Sequence, residues 1–146
     1  GDGRKKNYVE NKIKELGLEE SFFLLGSFPV EEMPEFYACA DCLLVTLKSD
    51  YIFSLTIPSK IQSYLACGKP MLASLDGEGG RVINEAKAGL VVQAESPEQL
   101  AVCALELYSL SSLEIQKMGS HGHKYFASNF EREYLVNRLL KIFNNE

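Results

Sequence analysis

Short, unbroken apolar runs punctuate the chain at residues 21–26 (SFFLLG), 42–47 (CLLVTL), 70–74 (PMLAS) and 89–92 (GLVV), and segments of helical spacing separate them. A strand covered on both faces is apolar at successive positions rather than alternate ones, and such strands belong to parallel sheets. Between the runs, Val9, Ile13 and Leu16 share one face of a helix over 4–16, which Gly17 ends. Met33, Phe36, Tyr37 and Ala40 mark a second helix, and further helices are predicted over 59–67 and 80–86. The order β-α-β-α-β-α-β predicts an α/β fold, a parallel sheet of about four strands whose right-handed crossovers put helices on both faces. Beyond the last run, Ser96, Pro97 and Gln99 read as a capping box with proline at the first helical position. Ser111 and Glu114 repeat the box, and Leu135, Leu139 and Ile142 keep helical spacing over 131–143, so the chain closes in a helical layer. No internal repeat or linker divides it, which predicts a single domain over 1–146. The opening Gly-Asp-Gly is a turn with no strand in front of it, so upstream structure is expected to be missing.

Composition removes several classes of function. No apolar run approaches the roughly 18–20 residues that span a bilayer. A formal charge of −5 without any Lys/Arg block argues against a nucleic-acid surface, whose affinity rests on many phosphate contacts. Cys39, Cys42, Cys67 and Cys103 sit in apolar stretches with no signal peptide ahead of them, which predicts reduced thiols and a cytoplasmic protein. Cys39 and Cys42 have CxxC spacing but no second pair, so they read as buried packing, with zinc or redox chemistry the alternative. His121 and His123 diverge on a helix and cannot chelate together, and there is no Asp-x-Asp pair. Neither a metal nor another cofactor is expected.

In an open parallel sheet, ligands lie beyond the carboxyl ends of the strands, here the loops 26–30, 48–58, 75–80 and 93–96. The second of these carries Tyr51, Phe53 and Thr56 and leads to Ser59 and Lys60; the third contains Gly77, Glu78, Gly79 and Gly80 and leads to Arg81. Each runs into a helix start whose first amides lack internal partners, and each helix end favours an anion by about 0.3–1 kcal/mol. Lys60 and Arg81 add charge, and glycines remove the β-carbons that would hold a phosphate away from the amides. Taken alone, the same residues also read as a flexible turn beside a solvated lysine. The loop is neither a Walker motif nor a first-strand dinucleotide fingerprint. Asp76 and Glu78 are the crevice carboxylates: they either hydrogen-bond sugar hydroxyls or only solubilise the loop.

The run IPSKIQSYLACGKPMLAS, followed by DGEGGRVINEAKAGLVV and SPEQLA, resembles the carboxyl-terminal, donor-binding half of the GT-B glycosyltransferases of group 1 (family 4), and more narrowly their bacterial surface-polysaccharide members. The segments LGSFPVEEMPEFYACADCLLV and MGSHGHKYFASNFERE resemble flanking parts of the same half. The resemblance implies a Rossmann-like half of a GT-B fold with its first strands missing. It also implies a substrate that is a nucleoside-diphosphate sugar, UDP-linked, and an acceptor that is a glycan or lipid-linked glycan. The acceptor-binding domain with its catalytic groups would precede this chain, so this chain alone is expected to bind donor without transferring sugar. Membrane contact, at the inner face, would come only through that missing domain. By the same resemblance Thr56, Ile57, Ser59, Lys60 and Ser63 at one helix start, with Gly77, Glu78, Gly79, Gly80 and Arg81 at the other, surround the donor. Two family glutamates are absent: Ser63 stands where one bonds the ribose, and Leu55 where another faces the sugar. A phosphate-binding interaction module, or half of a sugar-nucleotide epimerase, is the alternative.

Overall fold

The structure, a computed structural model, describes residues 3–144. Gly1 and Asp2 of the predicted opening turn therefore lie outside the described residues. The chain divides into two compact units, Gly1–Phe36 and Tyr37–Glu146.

The first unit holds helix α1 (Lys6–Glu15), which buries Ile13 and ends where Leu18 N donates to Ile13 O at 2.9 Å. The apolar run at 21–26 is not a strand, which corrects the four-strand expectation. Phe22, Phe23 and Leu25 are 50%, 67% and 61% exposed. A continuous apolar run becomes a strand only where a neighbouring backbone closes its hydrogen-bond ladder, and the sheet does not include this segment. A short 3-10 turn at Val30–Glu32 then leads into α2 (Met33–Cys39), whose Phe36 meets Phe28 at a tilt of 48°, 4.4 Å between ring centroids.

The second unit is an α/β layer around three parallel strands in the order β1 (Leu43–Thr46), β2 (Met71–Ser74), β3 (Gly89–Val92). Register sets Leu43 beside Met71 and Gly89, and Leu44 beside Leu72 and Leu90. Since side chains alternate across a sheet, Leu43, Val45, Met71 and Ala73 share one face. There they form the core with Ile61 and Leu65 of α4 (Ser59–Ala66) and Val82 and Ile83 of α5 (Glu78–Glu85). Complete burial of Ile61, Leu65, Met71 and Ile83 contributes about 1.5–3 kcal/mol each. On the other face α6 (Pro97–Ser109) packs on β2 and β3 and leaves Leu44 of β1 55% exposed.

Helix α7 (Ser112–Asn129) lies against α4. The approach is close enough that a β-carbon at Gly119 would fall 2.0 Å from the carbonyl oxygen of Gly68. His123 Nδ1 adds a 2.9 Å hydrogen bond to Ala66 O, at the carboxyl end of α4. The predicted capping box at Ser111 forms: Glu114 accepts from Ser111 N at 2.8 Å, and Ser111 Oγ accepts from Glu114 N. The one at Ser96 does not, because its backbone (φ −110, ψ 74) departs from the extended geometry that Ser111 adopts (φ −68, ψ 155). The chain ends in α8 (Arg132–Phe143), packed on α7 with Leu139, Ile142 and Phe143 largely exposed. All four cysteines are free; of the CxxC pair expected to be buried, Cys39 is exposed and Cys42 half-buried, and Cys67 is exposed as well. Among the described residues no helix is long and apolar enough to cross a membrane.

Candidate functional site

Because the strands are parallel, the loops after β1, β2 and β3 emerge along one edge, and most of the residues singled out in the sequence collect there. The loop after β1 contains an element not expected from the sequence, the single-turn helix α3 (Tyr51–Ser54). Asp50 caps it by accepting from Ile52 N at 2.8 Å and Phe53 N at 3.3 Å. An aspartate one residue before a helical turn is a local signal that was present in the sequence. Tyr51, Ile52 and Leu55 around this turn are 77%, 67% and 59% exposed.

Helix α4 follows at once. Pro58 occupies its cap position and offers no side-chain acceptor. Ile61 N bonds back to Pro58 O at 2.9 Å, while the amides of Ser59 and Lys60 have no protein partner among the described residues. No acidic residue sits in this first turn, and Lys60 is exposed without an ion pair among the described residues. Ile57 is half-buried against the core, which fixes the entry of the chain into the helix. Thr56 Oγ1 donates to Phe53 O at 3.2 Å, and Ser63 Oγ donates back to Ser59 O at 3.3 Å, one turn earlier.

Helix α5 starts differently. Gly77 at its cap has φ 74 and ψ −141, and a β-carbon there would lie 2.0 Å from Ser54 O. Only glycine tolerates that backbone and that contact. The surroundings of Gly79 and Gly80 add a packing reason for their lack of a side chain. A β-carbon at Gly79 would meet Ile61 and Leu75 at 3.0 Å and Pro58 at 3.2 Å, and one at Gly80 would meet Val91 at 3.2 Å. These two glycines let α5 sit close on the core. At the surface Arg81 closes on both neighbouring carboxylates, with Nη2 2.7 Å from Glu78 and Nη1 2.5 Å from Glu85. Glu85 in turn accepts from the Tyr125 hydroxyl at 2.9 Å. Hydrogen bonds from Arg81 hold both carboxyls below the ordinary glutamate value and raise the guanidinium above its own.

The three loops are tied together by Asp76. Its Oδ2 accepts from Ser49 Oγ at 3.0 Å and its Oδ1 from Ala94 N at 3.1 Å. Ser49 N also donates to Glu95 at 3.4 Å, and Ser74 Oγ to Gln93 O at 3.0 Å. Pairwise spacing in the sequence gave no sign of these contacts, which join positions 18 to 46 residues apart. A cleft of about 650 Å³ opens at the other end of the strands, between Cys42, Leu72, Leu107 and Ile115, and none of the candidate residues line it.

The family model for glycosyl transferases group 1 matches residues 1–109. The uncharacterized glycosyltransferase MJ1178 of Methanocaldococcus jannaschii is 25% identical over 143 residues, which are 98% of this chain and 38% of that protein. The probable glycosyltransferase WbjE of Pseudomonas aeruginosa is 32% identical over 123 residues, 77% of this chain and 30% of that protein. This chain thus spans 38% and 30% of the lengths of these two relatives. Among solved structures, the Anabaena protein HepE in complex with UDP superposes with a TM-score of 0.77 at 18% identity, over 97% of this chain and 38% of that one. Sucrose-phosphate synthase from Thermosynechococcus elongatus gives 0.76 at 18% identity, over 99% of this chain and 35% of that one. These structural likenesses show the fold, an α/β layer of the GT-B kind, and the family match over three-quarters of the sequence adds the lineage: the chain belongs to the group 1 glycosyl transferases.

Proposed function

We propose that this chain is the donor-binding part of a glycosyltransferase, and that the start of α4 binds the diphosphate of a nucleoside-diphosphate sugar, UDP-linked. The observation that carries the reading is the first turn of α4: two unpartnered amides, no acid, no side-chain cap, and Lys60 beside them at the carboxyl edge of a parallel sheet. Such a turn presents roughly half a positive charge to an anion. Held on the leaving nucleoside diphosphate, that potential lowers the barrier as the glycosidic bond breaks. The amides and Lys60 supply it without a metal. HepE, of the same fold, was solved in complex with UDP, and the named relatives are an uncharacterized and a probable glycosyltransferase. In this reading Thr56, Ile57 and Ser63 line the donor on the α4 side, and Gly77, Glu78, Gly79, Gly80 and Arg81 border it on the α5 side.

The acceptor is a glycan or lipid-linked glycan of bacterial surface-polysaccharide synthesis, held by a separate acceptor-binding domain. The reading places the protein in the cytoplasm, at the inner face of the membrane, and free thiols suit that reducing compartment. Calorimetric titration of UDP tests the site. Lys60→Ala should raise the dissociation constant about tenfold, the scale of one charge-assisted hydrogen bond, and leave the thermal midpoint unchanged. Equal affinity in the variant would move the diphosphate away from α4.

A further inference from the structure

Resting on the donor-diphosphate reading above, we propose that Asp76 is a positioning residue that sets the crevice geometry by locking the loops after β1 and β3 onto the loop after β2. β2 is the central strand of the three, so its loop alone has a neighbour on each side. Asp76 uses that place fully: one carboxylate oxygen takes Ser49 Oγ from the β1 side, the other takes Ala94 N from the β3 side. A neutral hydroxyl or amide could not accept from both sides with charge assistance. The Ser49 N to Glu95 bond closes the triangle by joining the outer loops directly.

The consequence reaches the cradle through α3. Ser49 precedes its cap Asp50, and at its other end the Ser54 carbonyl lies against Gly77, next to Asp76. Both ends of the 49–54 segment are therefore seated on residues 76 and 77. From Ser54 only the stretch 55–58 remains before α4 begins. Asp76 thus fixes where Thr56 and the exposed face of α3 stand relative to the open amides of α4, without itself touching the donor.

The test titrates UDP and, separately, a UDP-sugar, and adds amide hydrogen exchange of the protein without ligand. Asp76→Ala should speed exchange at Ala94 and at residues 51–54 and weaken UDP binding about tenfold. Ser49→Ala, at an exposed position that threatens no fold, should do both to a smaller degree. Asp76→Asn keeps an oxygen for Ala94 N and should fall between the parent and Asp76→Ala in both measurements. Unchanged exchange in Asp76→Ala overturns the lock. Faster exchange with unchanged UDP affinity in both alanine variants overturns the positioning role. If Asp76 instead contacted the donor sugar, Ser49→Ala would be silent and Asp76→Ala would weaken a UDP-sugar but not UDP, which also overturns it. Failure of the unaltered protein to bind UDP would be a different result: it removes the donor reading, and the positioning role falls with it even where exchange shows the lock.

Discussion

Helices α4 and α5 start at the same edge of one sheet, are each eight residues long, and follow loops that look equally suited to an anion. Their first turns are built in opposite ways. At α5 the positive end of the helix already has its counter-charge, Glu78, and Arg81 is folded back onto Glu78 and Glu85. At α4 proline occupies the cap, the first turn carries no acid, and Lys60 stands free of ion pairs among the described residues. A helix start attracts an anion only in proportion to what has not yet neutralised it. A glycine-rich loop and a nearby arginine therefore say less about phosphate than the absence of a carboxylate does.

The largest effect that would probe this contrast is structural. Gly77→Ala puts a β-carbon into Ser54 O at a backbone setting that other residues rarely adopt. It should cost about 3 kcal/mol in chemical denaturation; a loss below about 1 kcal/mol would mean that α3 and the glycine loop can separate. Making α4 resemble α5 comes next. Ser59→Asp supplies the missing first-turn acid, so it should weaken UDP binding more than tenfold while adding about 0.3–1 kcal/mol of stability. A variant that binds UDP as the parent does would erase the distinction between the two helix starts. Making α5 resemble α4 is the smallest change: Glu78→Gln releases one of the two partners of Arg81 and should tighten UDP binding by roughly two- to threefold. The same pair gives a pH signature. Both glutamates have folded values below the ordinary 4.5, so their stabilising contribution is complete above that value and is lost as pH falls through the depressed ones. Urea midpoints should be flat from about pH 7 to 5 and then decline, with a shallower decline in Glu78→Gln.

The second unit was legible because its strands are unbroken apolar runs with helical segments between them. The runs at 42–47, 70–74 and 89–92 became β1, β2 and β3 within a residue or so at each end. The run at 21–26 looks no different in composition, yet it is exposed and not part of the sheet. Hydrophobicity states what a segment would bury, not whether a backbone is present to pair with it. The two capping boxes teach the same about local signals: Ser111 and Glu114 close one, but Ser96 follows Glu95 at φ 60, and that left-handed turn rotates the serine out of capping geometry. At the candidate site, the collecting of loops along one edge followed from the strand alternation alone. What could not be read was the fate of individual side chains there. The pairing of Arg81 and the lock at Asp76 depend on contacts across packed elements, and the glycines at 79 and 80 answer to Ile61, Leu75 and Val91.

The close seating of α4 on α7, with Gly119 against the Gly68 carbonyl and His123 on Ala66 O, has a kinetic consequence for whatever meets the opposite end of α4. A helix anchored at its tail and fully buried at Ile61 and Leu65 presents its open amides in a fixed direction before any ligand arrives. Capture then requires no ordering of that helix, and the entropy of building the cradle has already been spent in folding. Variants that keep the charge at the mouth of the site should consequently share nearly one association rate and differ in how long the nucleotide stays, so for them residence time, not encounter, is where α4 expresses its selectivity.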